Sequence, residues 1–299
     1  MENNSYQNTV SESQSFVKRN IFPDLLRLNH SYWFRLILTD KEETTEIRYK
    51  TVVRLIKPLT QTSVQISIVR MPDDVYINDR PPDMPVDMLA YETGKILYPI
   101  DVEINDRMEW RGIKNHEQII QRWENSEPDL RRYFAGEEAN RYLNRMGEKI
   151  ASKASLEKIF EKDLFIQVYF RTLYADCTSP VTFPVGDYGE VQYEVKTLIN
   201  SEDNDDRKEV MQTGIEIQTQ KDPESDSENK NTYTAKYVLD AQTNCIREME
   251  AEWKWESPVR KKIRVILFPL RQSISTSSLI IDEDSEQKKK KGFFSKLFG

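Results

Sequence analysis

Segments in which apolar and polar residues alternate constrain the fold of this chain more than any other feature. Between residues 190 and 199, Val191, Tyr193 and Val195 alternate with polar side chains. A period of two places successive side chains on opposite faces of a β-strand. The same pattern recurs at 215–217, 233–239, 245–255 and 259–267. The connections between these segments are too short for a crossover helix, so the stretch 185–269 predicts an antiparallel meander.

A first meander is predicted nearer the N-terminus. Its alternating segments are 32–38, 47–56 and 64–68. A hairpin is expected after them, with Asn105 and Asp106 as its turn residues. Ahead of the first strand, the apolar cluster at 16–28 predicts a short helix that docks on the sheet.

The segment 71–85, MPDDVYINDRPPDMP, is open to two interpretations. Its four prolines are typical of an irregular, solvated connection. The carboxylates of Asp73, Asp74 and Asp79 also have the oxygen chemistry that a hard cation prefers. The spacing does not match an EF-hand loop.

The residues between the two meanders have the period of amphipathic helices. Asn115, with a glutamine three residues later, predicts a helix start with a capping box, and Pro128 predicts a break. A second helix is expected from about Gly136 and a third from a cap at Ser155. The end of the third, 164–174, is rich in β-branched and aromatic residues and also fits a strand, although we favour a helix.

These patterns predict an α+β fold in which antiparallel meander sheets pack on a central helical segment. The sequence leaves open whether the meanders form two sheets or one curved, half-barrel-like sheet. The predicted divisions are a flexible N-terminus, one globular body, an acidic and Ser-rich linker and a basic-aromatic tail, at 1–12, 13–270, 271–287 and 288–299. Within the body, the N-terminal helix and first meander, the helices and the second meander occupy 13–113, 114–175 and 180–270.

The C-terminal tail, KKKKGFFSKLFG, differs in charge from the rest of the chain. The protein has 43 basic and 50 acidic residues and a net charge of −7, whereas the tail has five lysines and no acid. Its apolar residues recur at helical spacing. The predicted contact residues are Lys288, Lys289, Lys290, Lys291, Phe293, Phe294, Lys296, Leu297 and Phe298. Three interpretations remain: docking in a groove of a partner protein, attachment to an anionic membrane surface, and folding back on the chain's own acidic loops.

Trp253 and Trp255 form a second candidate surface for a ligand or partner. Both indoles fall on one face near the end of a predicted strand. A sheet that covers helices often encloses an apolar pocket. The alternative is that these large aromatic residues fill the core.

Catalytic and cofactor motifs are absent from the sequence. His30 and His116 lie outside ligand or triad patterns, and no phosphate-binding or zinc motif is present. No cofactor is therefore predicted. Glu250 and Glu252 share a strand face, but the outer face of a sheet routinely produces such a pair.

The cysteines and the hydropathy pattern bear on the compartment. Cys177 and Cys245 match no zinc or redox spacing, and we expect free thiols rather than a disulfide. We find neither a signal-peptide pattern nor an apolar run long enough for a transmembrane helix. A cytoplasmic protein is expected, with a peripheral position at the inner membrane face as an option through the tail.

Several short motifs occur between residues 155 and 269. A predicted helix is followed by Pro180, by Val-Gly-Asp at 185–187 and by Tyr-Val-Leu-Asp at 237–240 before a turn. In these motifs the chain resembles a family of uncharacterised β-rich bacterial proteins of the Bacteroidetes type. The resemblance implies a β-rich architecture and no particular activity.

These observations together predict a non-enzymatic interaction protein whose tail docks on a partner protein or an anionic membrane surface. Nucleic acid is not expected as a partner because the body is acidic. One alternative is a carrier or sensor of an apolar small molecule held between the sheet and the helices of 115–174. A second alternative is a hydrolase whose acids the sequence does not identify.

Overall fold

The computed structural model describes residues 21–171, 173–174, 180–184, 190–200, 206–217, 231–255 and 260–270. Its strands are β1 Asn29–Asp40, β2 Glu43–Pro58, β3 Ser63–Ile77, β4 Ile100–Asn105, β5 Trp110–Ile113, β6 Val181–Pro184, β7 Glu190–Asn200, β8 Arg207–Glu216, β9 Thr232–Asp240, β10 Ile246–Trp255 and β11 Lys261–Pro269. Its helices are α1 Pro85–Leu97, α2 His116–Tyr133, α3 Glu137–Ala151, α4 Lys153–Glu161 and α5 Leu164–Ile166, and a π-helical turn, Gln167–Arg171, follows α5.

The strands form one eleven-stranded sheet in which every pairing is antiparallel. Their order is β5-β4-β3-β2-β1-β11-β10-β9-β8-β7-β6. The two meanders join where β1 pairs with β11, with Phe34 opposite Leu267 and Leu36 opposite Val265. The predicted α+β class with an antiparallel meander is confirmed, and the two meanders belong to one sheet.

Alternation separates a buried face of the sheet from an outer face. On β10, Ala251 and Trp253 are buried, whereas Glu250 and Glu252 lie on the other side. Glu250 pairs across strands with the Nε of Arg264 at 2.7 Å, and Glu252 accepts from lysine ammonium groups of β10 and β11. Burial raises the pKa of Glu252, but these lysines outweigh that effect and the net pKa is lowered. The acid pair therefore belongs to an ion-paired outer face.

The helical segment contacts the buried face of the sheet. The rings of Phe34 on β1 and Phe165 on α5 meet edge to face with centroids 6.0 Å apart. The hydroxyl of Tyr237 on β9 donates to the carbonyl of Val168 at 3.3 Å. Both halves of the sheet are thus connected to residues 164–171, which are helical, as favoured from the sequence. The favoured helix was expected to reach residue 174, but residues 173–174 form a bend.

The helix boundaries correct three sequence predictions. Asn115 precedes α2 but makes no capping bond, because its side chain accepts from the Asp101 amide at 2.9 Å and donates to a carbonyl at residue 99. Pro128 lies inside α2 and does not break it. Trp123 before the proline and Leu130 after it are both buried and lie seven residues apart, on one face of the helix. The cap of α4 is Ser152 and not Ser155, since the Ser152 hydroxyl accepts from the Ser155 amide at 3.3 Å.

The prediction of an irregular connection at 71–85 is wrong for its first half. Strand β3 continues to Ile77, because Arg70 pairs with Thr51 and Val75 pairs with Tyr49. Four residues of β3 thus face one residue of β2, and this bulge accommodates Pro72. Asp74 and Asp79, suggested as cation ligands, form ion pairs with Lys50 at 3.0 Å and Arg48 at 3.1 Å.

The described part of the predicted N-terminal helix contains a single 3₁₀ turn, Leu25–Arg27. Ile21 and Leu28 are buried, whereas Phe22 and Leu26 are exposed. Residues 16–20 of that prediction lie outside the described residues.

The predicted turn between β9 and β10 is organised by Asp240. Its Oδ1 accepts from the Thr243 amide at 2.9 Å, and its Oδ2 accepts from the Arg247 guanidinium at 2.7 Å. Burial acts to raise the pKa of Asp240, but these hydrogen bonds outweigh it and lower the net pKa.

Candidate ligand-binding cavity

A cavity of about 660 Å³ lies between the first half of the sheet and the helices. Its floor is formed by Phe34 and Leu36 of β1 and by Ile47 and Tyr49 of β2. These residues occupy alternate positions of paired strands, so the period-two pattern places all four on one face. The sheet therefore gives the cavity an apolar base.

The helices that line the other side contribute residues at helical spacing. From α3 these are Tyr142, Met146 and Lys149, and from α4 and its end they are Ser155, Lys158, Ile159 and Lys162. Spacings of three, four and seven residues place side chains on one face of a helix. Each helix thus turns one mixed apolar and basic stripe toward the cavity.

Strand β3 and helix α1 also line the cavity, and one position of α1 leaves space because its residue has no side chain. Gly94 lines the cavity, and a Cβ added there would have no heavy atom within 4 Å. The residue lies in mid-helix, where glycine has poor intrinsic propensity. The position is therefore a natural one at which to fill the cavity by substitution.

A partly buried ion pair lines the cavity. The guanidinium of Arg70 on β3 donates to the carboxylate of Asp163, and it lies over the rings of Tyr49 and Tyr98, at 4.3 Å and 4.4 Å from their centroids. Asp163 also caps α5 by accepting from the Ile166 amide at 3.2 Å. Burial acts to lower the pKa of Arg70, but the carboxylate outweighs it and the net pKa is raised. The pair connects the α4–α5 junction to the sheet.

Four lysines line the same cavity: Lys95, Lys149, Lys158 and Lys162. Lys95 pairs with Glu92 at 2.7 Å. The other three are exposed and have no ion pair within the described part of the chain. The described residues that line the cavity therefore carry more positive than negative charge, on a protein whose net charge is −7.

A second cavity, of about 680 Å³, shares a wall with the first. The shared residues include Tyr142, Met146 and Lys149. The hydroxyls of Tyr142 and Thr93 lie 3.0 Å apart, which fixes the tyrosine between α1 and α3. The pKa of Tyr142 is raised by its burial.

The tryptophans predicted as a ligand or partner surface lie elsewhere. Trp253 is 0% exposed and Trp255 is 3% exposed, and neither lines either cavity. The ring of Trp253 packs against Phe183 and Tyr233, with centroids 5.2 and 5.3 Å apart. The two indoles thus share a buried face, and their role as a ligand or partner surface stays a prediction.

The other predicted residues are placed as follows. The nine tail residues between 288 and 298 lie outside the described residues, as does Cys177. Cys245 is buried, and burial raises the pKa of its thiol. His116 donates from Nε2 to the Ile150 carbonyl at 2.7 Å, and burial lowers the pKa of His30 despite the charge of Asp240. Among the described residues, no group of three or more His, Cys, Asp or Glu could hold a metal ion.

The cavity residues were missed by reasoning from the sequence. Lys149 lies three residues after buried Met146 and so borders the apolar stripe of α3. Lys158 lies two residues from both buried Leu156 and buried Phe160, and so opposite the apolar stripe of α4, as is usual for a lysine on a solvated face. The spacing of Lys149 is therefore a weak signal, and the sequence contains none for Lys158.

None of the helices in the described ranges combines the length and apolarity needed to cross a membrane. A comparison with protein-family models and a search of curated proteins both find no match to this chain.

Proposed function

We propose that the protein binds an apolar or amphipathic small molecule between its sheet and its helices, as a carrier or sensor. The observation that supports this is the cavity of about 660 Å³ over Phe34, Leu36, Ile47 and Tyr49. Ligand sites typically measure about 300–1,000 Å³, with apolar walls and a few polar groups. We also propose that the sheet curves around the helical segment like half of a barrel.

The chemistry of the lining favours binding over hydrolysis. Asp163 is the acid among the described lining residues, and it is engaged both by Arg70 and by the first turn of α5. Both oxygens of this carboxylate already accept a hydrogen bond from the protein, Oδ2 from Arg70 and Oδ1 from the Ile166 amide, so neither is left without a protein partner. The hydrolase alternative has less support for this reason.

Native mass spectrometry of gently purified protein is the first test. A carrier should retain an additional lipid-like mass that is lost on denaturation. Titration with straight-chain alkyl compounds should show affinity that increases about fourfold for each added methylene until the cavity is full. Affinity that is independent of chain length would contradict the proposal.

Substitutions at Gly94 give a matched pair of variants. Gly94→Phe should place a ring inside the cavity and weaken alkyl binding. Gly94→Ala adds one methyl group in open space and should keep binding, while stabilising α1 by about 1 kcal/mol. Equal binding by the two variants would show that the ligand lies elsewhere.

A second candidate function is docking through the tail, in a cytoplasmic protein that reaches the membrane face peripherally or joins a larger assembly. It is supported by four consecutive lysines followed by apolar residues at helical spacing, in a chain of net charge −7. A short cationic and aromatic segment gains affinity from anionic lipid and from insertion of its rings. Deletion of 288–299 should release the protein from membrane or complex fractions without changing its melting temperature. Unchanged fractionation would contradict this candidate.

A further inference from the structure

We infer that the ligand of the cavity is an anionic amphiphile, a hydrocarbon chain that ends in a carboxylate or phosphate, and that Lys149, Lys158 and Lys162 hold its head group. This inference rests on the proposed function and specifies the class of ligand. It is carried by the charges that line the cavity and by their position relative to the apolar floor.

The charges of the lining do not balance. Among the described residues, five basic side chains and one acid line the cavity. Arg70 is neutralised by Asp163, and Lys95 by Glu92. The three lysines that remain form no ion pair within the described residues, so the cavity carries an excess of three positive charges. An uncharged apolar ligand would leave these three positive charges without a counter-charge.

The excess charge is concentrated at the opening. Lys158 and Lys162 lie four residues apart, and so on the same side of the end of α4, and Lys149 lines the cavity from α3. All three are exposed, whereas Phe34 and Tyr49 of the floor are buried. The site therefore changes from apolar at its base to cationic at its mouth. A single-chain amphiphile with an anionic head has the same order of groups.

The tail of this chain is a rival occupant, because it contains four large apolar residues. Its aromatic residues are preceded by four lysines, 288–291, and accompanied by Lys296. A cationic segment would meet like charges at the mouth of the cavity, and juxtaposed like charges oppose association. Charge complementarity thus favours an anionic ligand over the tail.

Isothermal titration calorimetry of the full chain tests the inference with two probes of equal chain length, dodecyl phosphate and uncharged dodecanol. Three exposed charge contacts predict that dodecyl phosphate binds about tenfold more tightly. Raising the salt concentration should reduce this preference, because exposed charges are screened. Laurate is expected to show the same preference over dodecanol, and binding of only one anion would identify the head group as carboxylate or phosphate.

The triple variant Lys149→Gln, Lys158→Gln, Lys162→Gln should lose the preference and keep its affinity for dodecanol. Lys153→Gln is the matched control, because Lys153 is an exposed lysine of α4 that does not line the cavity. A preference that persists in the triple variant, or equal affinity of the native protein for both probes, would overturn the inference and leave the proposed function standing. Failure of both probes to bind would overturn both.

The tail is tested in the full chain with the double variant Phe293→Ser, Phe294→Ser. Unchanged affinity for dodecyl phosphate is the expected result. A tenfold or greater gain in affinity would show that the tail occupies the cavity and would overturn the inference.

Discussion

Removing the charge of Asp163 should destabilise the protein far more than removing a surface charge. Its carboxylate pairs with Arg70, and the two side chains are 17% and 27% exposed. Asp163→Asn keeps a side-chain oxygen for the cap of α5 but leaves the guanidinium of Arg70 without a counter-charge. Asp163→Ala removes the cap as well.

The magnitude follows from burial and capping. Breaking a fully buried ion pair by removing one partner costs about 3–5 kcal/mol. Partial exposure of both side chains lowers the expected cost of Asp163→Asn to about 2–3 kcal/mol. Loss of an N-cap adds about 1 kcal/mol, so Asp163→Ala should cost about 3–4 kcal/mol.

Urea denaturation followed by tryptophan fluorescence measures these free energies of unfolding. Asp129→Asn is the control, because Asp129 pairs with Arg132 while the two side chains are 77% and 80% exposed, and it should cost less than about 0.5 kcal/mol. The double variant Arg70→Met, Asp163→Asn removes both charges and should recover at least about 1 kcal/mol relative to Asp163→Asn.

Two results would refute the reasoning. The first is a cost for Asp163→Asn equal to that of the exposed control. The second is a double variant as unstable as the sum of its single variants, because additivity would mean that Arg70 and Asp163 do not stabilise each other.

Three further predictions concern the second half of the sheet. Asp240 has a lowered pKa, so its hydrogen bonds stabilise the fold above about pH 4 and are lost as the pH falls further. Asp240→Asn should therefore flatten the acid limb of the curve of urea midpoint against pH, and an unchanged limb would contradict this. Gly214→Ala should destabilise by about 1–2 kcal/mol in urea denaturation, because the new Cβ would lie 3.2–3.3 Å from side-chain atoms that include the Cβ of Tyr193 and of Tyr233; a gain in stability would show that β8 can shift. Trp253→Ala should lower the free energy of unfolding by about 3–5 kcal/mol, measured by thermal unfolding, because Trp253 is fully buried. The milder Trp253→Phe should leave alkyl binding unchanged, and lost binding in that folded variant would support the ligand surface predicted from the sequence.

Strands could be predicted from the sequence where apolar residues occupy every second position. In β9 and β10 each inward position carries an apolar or aromatic residue, so the sequence alone predicts both strands. Strand β6 was missed because it has four residues and ends in Pro184, too few for a period to show. The extension of β3 was missed because Pro72 and its acidic neighbours interrupt the pattern, and the bulge that accommodates them depends on the partner strand.

The helix ends and the single sheet depend on contacts that a local pattern does not contain. Asn115 fits a capping box by sequence, yet its side chain bonds to the backbone near β4. The pairing of β1 with β11 joins segments from opposite ends of the body, and alternation has no information about partners. The cavity was missed for a related reason, since it depends on how α1, α3 and α4 are placed over the sheet.

The two halves of the sheet bury their inward faces in different ways. In the second half, the rings of Phe183, Tyr193, Tyr233 and Trp253 pack against each other, and all four are 0% exposed. In the first half, helices cover the inward face of β1 and β2 and leave a cavity over Tyr49. Tight packing makes stability sensitive to each side chain, whereas a cavity wall accepts added volume. Substitutions in the aromatic half should therefore change the free energy of unfolding, and substitutions such as Gly94→Phe should change ligand affinity with little loss of stability.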